Sequence, residues 1–225
     1  MDSHRQFWNE RQQALRQALA HPDEFDRAID LFMGQHAMVH TTAMSQSGVW
    51  SFQDEVLQGV SEAAARRIPP GGEHSLAWLT WHITRIEDAT MGVLAAGSPQ
   101  ILESGRWQPR LNTDFRHTGN VMTTEDVARL SREIDLDALL AYRLAVGRRT
   151  REVIRQLAPE ELRRRVDPAR LQHLADDGTV APGAGDLLAS WGGLTIAGLL
   201  LMPPTRHPFI HLNEALRIKS KITRE

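Results

Sequence analysis

Apolar side chains recur along the chain at three- and four-residue spacing, and alternating β-branched runs are almost absent. That pattern predicts an all-α protein. A first helix is expected over Arg5 to Ala20, and Pro22-Asp23 opens a second that runs to about Met44. Asp23 or Asp26 places acidic charge near its start, where the helix dipole favours it. After Gly48, a short helix from about Gln53 to Arg67 meets Pro69-Pro70-Gly71-Gly72, a breaker cluster that reads as a loop.

A long helix follows from about His74 to Ala96, with Trp78, Leu79, His82, Ile86, Ala89 and Val93 on one face. Residues 97 to 123, punctuated by Gly97, Pro99, Gly105, Pro109 and Gly119, read as a long connection, a kind of segment that is usually functional or mobile. Helices are then expected over Thr124 to Glu133 and Leu136 to Leu157. Pro159 and the run Arg163-Arg164-Arg165 come next; with Glu160 and Glu161 beside it, the run reads as a solvated helix face. Pro182 to Gly185 form a turn, and Asp186 to Met202 make a core helix that Gly192, Gly193 and Gly198 weaken by roughly 1 kcal/mol each relative to alanine. Pro203-Pro204 breaks the chain, and Thr205 is placed to cap a last helix through about Ile222.

Composition narrows the class. The 225 residues suit one domain spanning 1–225, and 41% hydrophobic with 24% charged residues is ordinary globular composition. A formal net charge of -2 gives no general attraction to nucleic acid or an acidic membrane face. No cysteine is present, so a metal must be held by nitrogen and oxygen, and disulfides and thiolate nucleophiles are excluded. The polar start Met1-Asp2-Ser3-His4-Arg5-Gln6 lacks the apolar stretch of a secretory signal, which makes a cytoplasmic location the expectation. The most apolar stretch, Leu187 to Met202, is shorter than the roughly 20 residues a membrane-spanning helix needs.

The candidate chemistry is histidine. His82 points into the apolar stripe of the long helix, and His207 and His211, one turn apart, lead a stripe that continues with Ala215, Ile218 and Ile222. Two imidazoles at that spacing can grip one ion. Pro208 disfavours the helical region for His207 but sacrifices no hydrogen bond within a first helical turn. A competing pair, His36 and His40, repeats the spacing on a stripe with Phe25, Ile29, Phe32 and Ala43, where both can line a cavity or make core hydrogen bonds. Arg85 could bind an anion and Glu214 could orient a histidine; for both, an ordinary ion pair is the competing explanation. Trp78 and Trp81 read as core, and His74, His117 and His173 as structural or exposed residues at helix starts or in loops.

Ser75-Leu76-Ala77-Trp78-Leu79-Thr80-Trp81-His82-Ile83-Thr84-Arg85-Ile86-Glu87-Asp88 resembles the second-helix signature of the DinB/YfiT-like superfamily. His207-Pro208-Phe209-Ile210-His211-Leu212-Asn213-Glu214 resembles that family's final-helix His-x3-His. The resemblance implies a four-helix bundle, here with additional short helices and long connections, in which His82, His207 and His211 hold one divalent ion with open coordination positions. It also implies metal-dependent chemistry with a small-molecule substrate, in the manner of thiol S-transferases or isomerases that use a low-molecular-weight thiol cosubstrate. Hydrolysis with a metal-activated water remains open, as does a non-catalytic, stress-associated metal- or small-molecule-binding protein. Glu214 follows His211 by three residues, which departs from the His-x3-His-x-Glu of the family's sulfoxide synthases. Neutral imidazoles suit zinc, nickel and iron alike. A homodimer is the expectation for assembly.

Overall fold

The computed structural model describes residues 3–222. Six helices position the site: α1 (Ser3–Ala18), α2 (Phe25–Met38), α3 (Leu76–Glu87), α4 (Thr124–Glu133), α5 (Leu136–Gln156) and α6 (His207–Ile222). α3 packs against α5 and α6, while α1 and α2 pack on each other and α2 also reaches α5. Among the described residues there is no strand; a single antiparallel bridge links Arg165 to Thr195.

Local chemistry explains where the helices start. Ser75 accepts the Trp78 N–H at 3.0 Å and Asp135 accepts the Ala138 N–H at 2.8 Å, each satisfying a backbone donor that the first helical turn leaves unpaired. Thr123 and Asp126 form a reciprocal capping box on α4.

Several expected elements are interrupted. The second helix ends at Met38 and a separate turn covers Thr42–Ser45. The expected Gln53 to Arg67 helix is split into Phe52–Leu57 and Glu62–Arg66 around Gly59, whose φ of 72° is a left-handed conformation that breaks a helix. The apolar stretch after Gly185 is likewise two helices, Gly185–Gly192 and Ile196–Leu201, because Thr195 starts the second by accepting the Gly198 N–H. The 97–123 connection carries two short helices, Ile101–Ser104 and Trp107–Leu111. Arg163 ends a short 3-10 turn, with Arg163 and Arg165 exposed, so the arginine run is solvated but is not a helix face.

Thr205 does not cap the last helix. Its hydroxyl donates to the Leu200 carbonyl at 2.8 Å and accepts from Gln12, and α6 instead grows directly from a π-helical turn, Met202–Arg206. His207 adopts helical angles, φ -61° and ψ -52°, despite the proline after it.

The apolar interior falls into two clusters. One gathers Trp8, Phe52, Trp81, Tyr142 and Phe209, and the other Leu15, Phe32, Ile86, Val153 and Leu199. α2, α3 and α5 each contribute to both, and at the changeover each carries buried polar residues: His36 on α2, His82 and Arg85 on α3, Thr150 on α5. A polar layer thus crosses the interior, and unpaired groups there are expensive.

Candidate metal centre

The site lies where α3 faces the first turns of α6. His82 is buried and His207 and His211 are half-buried. Their ring centroids are 4.9 Å apart for His82 with each of the other two, and 4.6 Å for His207 with His211. One ligand nitrogen from each lies within 4.8 Å of the others. The closest approach is 3.1 Å, between Nε2 of His82 and Nε2 of His207. Two nitrogens on one tetrahedral ion with bonds of ~2.0–2.1 Å sit about 3.3 Å apart, so this spacing fits a shared cation.

The opposite ring nitrogens show which atoms are free. Nδ1 of His82 donates to the Thr118 carbonyl at 2.6 Å, and Nδ1 of His211 donates to Glu214 Oε2 at 3.0 Å. Both bonds fix the Nδ1–H tautomer and leave the Nε2 lone pair for a ligand, the arrangement that ligating histidines nearly always adopt. Nδ1 of His207 has no hydrogen-bond partner among the described residues.

Electrostatics keep His82 and His207 neutral. Burial, reinforced by the neighbouring His211, lowers the His82 pKa to about 3 against the pull of the Thr118 carbonyl. Burial and the proximity of His82 and His211 also hold His207 well below its ordinary value. Burial pushes the Glu214 carboxyl up, but hydrogen bonds from His211 and His74 outweigh it and bring the group down to about 2. Glu214 is therefore an anion beside the neutral imidazoles of His82 and His207.

His36 and His40 meet a carboxylate that the sequence did not single out. Glu87 Oε1 accepts from His36 Nε2 at 2.8 Å and from the Thr150 hydroxyl at 2.7 Å, and Oε2 accepts from His40 Nε2 at 2.9 Å. All three members of this second cluster are buried, and their ligand atoms also lie within 4.8 Å of one another. Burial alone would raise Glu87, but His40 and His36 hold it well below the ordinary carboxylate value, while burial and Arg143 lower His40 to about 3.

The two clusters differ in the test that separates a ligand from a core histidine. In the second, the Nε2–H groups are spent on Glu87 and neither Nδ1 has a partner among the described residues, whereas in the first only His207 lacks one. Arg143 lies 4.0 Å from Glu87 Oε2 and already balances its charge. A divalent ion there would leave excess positive charge in a dry interior. The donor chemistry fits a cation better at His82, His207 and His211.

Arg85 is not available for an anion. Its side chain is fully buried and its N–H groups are taken by the Arg116 carbonyl, Asp88, Tyr142 and Gln100 at 2.7 to 3.1 Å. Trp78 and Trp81 are buried, as their spacing predicted. His173 is exposed and His117 accepts a local backbone N–H from Gly119, whereas His74 belongs to the site, bonded to Glu214 at 2.8 Å. Thr118 carried no signal in the sequence, because a carbonyl has no side-chain signature, whereas the four-residue spacing of His74, Trp78 and His82 could have pointed to His74. A surface groove of about 340 Å³ lined by Leu57, Leu76, Leu139 and Leu140 contains none of these histidines.

A family model described as the DinB superfamily matches residues 47–188, more than half of the chain. The matched segment contains His82, Glu87, Thr118 and Arg143 and ends before α6. No curated protein matches the chain.

Proposed function

The chain belongs to the DinB superfamily, and on that premise we propose that it binds one divalent metal ion through Nε2 of His82, His207 and His211 and uses it in a reaction of a small molecule. The observation that carries this reading is the pair of oriented rings: Thr118 and Glu214 hold Nδ1 of His82 and His211, which leaves both Nε2 lone pairs free, that of His82 3.1 Å from Nε2 of His207. When bound, a divalent cation supplies Lewis acidity that makes a thiol or a water a competent nucleophile near neutral pH.

The protein's own residues hold and tune. Three neutral donors leave the cation's charge uncompensated by the ligands, which favours anionic partners at its remaining positions. Glu214 adds negative charge one ring away, raising the basicity of His211 as a ligand. Burial of His82 keeps water from competing for its lone pair. The family-weighted reaction is thiol transfer with a low-molecular-weight thiol cosubstrate; hydrolysis shares the same requirement. The ion is zinc, nickel or iron.

One observation favours a second reading, binding without turnover. Both oxygens of Glu214 and all the donors of Arg85 are engaged in internal hydrogen bonds, which leaves neither as a ready acid, base or anion clamp. Elemental analysis of tag-free protein, then assays with several thiols and electrophiles with and without chelator, separates the two. Metal-dependent turnover supports the enzyme; saturable ligand binding without turnover supports the binding protein; absence of bound metal overturns the enzyme and leaves the second reading only as a small-molecule binder.

A further inference from the structure

His74 touches no candidate ligand, yet it is one bond removed from two of them. Its Nδ1 lies 2.8 Å from Glu214 Oε1, and the other oxygen of the same carboxylate holds Nδ1 of His211 at 3.0 Å. Its ring stacks on Trp78 with centroids 3.8 Å apart and planes within 5°, and Trp78 stacks in turn on His82 at 4.9 Å and 7°. His74, Trp78 and His82 are spaced by four residues, so the stack runs along one face of the chain entering α3. The same Trp78 ring packs against Gly119, where an added Cβ would come within 3.2 Å of Cζ2, and Gly119 follows the Thr118 whose carbonyl orients His82.

The backbone that presents His74 is itself fixed. The Gly72 N–H closes a turn on the Pro69 carbonyl at 2.8 Å, with Gly71 in the left-handed region at φ 67°. Immediately after His74, Ser75 caps α3 and bonds the Ser131 hydroxyl at 2.7 Å. The ring is therefore anchored from both sides in sequence and braces α3 and α6 in space.

We propose that His74 is a positioning residue for the metal centre, holding the Glu214 carboxylate on His211 through its Nδ1–H and backing His82 through Trp78. This rests on the reading that His82, His207 and His211 bind the ion. A surface ion pair that merely tied the ends of two helices would add a little stability. A positioning residue also sets how well the ligands are aimed before the ion arrives, and outer partners of ligating histidines typically change metal affinity 10- to 100-fold.

The test measures zinc affinity by chelator competition, and the visible d–d spectrum with cobalt(II), on tag-free protein. His74→Ala is expected to weaken zinc binding about 10- to 100-fold and to shift the cobalt spectrum, with the helical circular dichroism and the metal-free melting temperature nearly unchanged. His74→Gln, which restores a donor but no stack, should recover part of the loss. In a Glu214→Gln background most of the effect of His74→Ala should disappear, because the two act in series. Wild-type affinity and spectrum in His74→Ala, while His211→Ala loses cobalt, overturn the positioning role and leave the metal centre standing. A native chain that takes up neither ion overturns both.

Discussion

His82 and His207, 125 positions apart in sequence, bring Nε2 to within 3.1 Å of Nε2 in the interior between α3 and α6. Two lone-pair nitrogens so close need a shared proton or a shared cation between them. For His82 the opposite nitrogen is already committed to the Thr118 carbonyl, so Nε2 is the atom left to share.

His82→Ala and His211→Ala are each expected to remove most bound metal while the helical spectrum is kept. His207→Ala should lose less, because Nδ1 of His207 lacks an orienting acceptor among the described residues. His36→Ala and His40→Ala should retain metal and lose stability by about 1–3 kcal/mol, the cost of leaving the buried Glu87 short of donors. Elemental analysis and chelator competition check this. Metal loss in the His40 variant as complete as in His211→Ala, with the fold intact, would place the ion on the second cluster.

Gly147 is small because His40 lies on it: a Cβ there would sit 2.7 Å from His40 Cε1. Gly147→Ala should destabilise the protein by about 1–3 kcal/mol through overpacking, against the usual helix preference for alanine. Urea denaturation measures the change. A stabilised variant would mean that His40 is free to move off the helix.

Acid should unfold the metal-stripped protein early. Burial lowers His40 and His82 to about 3 from 6.5. Between those values the unfolded chain binds protons that the native one refuses, so stability falls as pH drops below 6.5, by up to about 1.4 kcal/mol per pH unit for each histidine. Below about 4.5 the depressed carboxylates Glu87 and Glu214 add to the loss in the same direction. Urea curves from pH 7.5 to 4.5 in the presence of chelator should show the slope setting in near pH 6.5; a flat profile down to 4.5 is inconsistent with neutral buried histidines.

Arg85 should behave as a structural residue. Arg85→Ala leaves Asp88 buried without its cation and is expected to cost about 3–5 kcal/mol in urea denaturation. Arg85→Lys should rescue little, since one ammonium cannot reach the Arg116 carbonyl, Asp88, Tyr142 and Gln100 together. A variant of native stability but weakened binding of anionic ligands would instead assign Arg85 to the site.

The sequence by itself determined the helical class, because a three- and four-residue apolar period can bury its stripe only as helix. Its bounds for α4 and α5 fall within a residue of those observed, and the structure supplies the local reason, since Thr123 and Asp135 cap their first turns. His82, His207 and His211 were legible as inward-facing because each heads or interrupts such a stripe. What lay beyond it were interactions that depend on the path of distant backbone. Glu87 is one more charge on a helix until α2 and α5 bring His36, His40 and Thr150 onto it, and Thr118 is an unremarkable loop position until its carbonyl reaches His82. Choosing between the two histidine clusters required knowing what each Nδ1 touches. His211 takes its far-side acceptor, Glu214, from its own helix, but that of His82 is the Thr118 carbonyl, 36 positions away, which only tertiary packing brings into range.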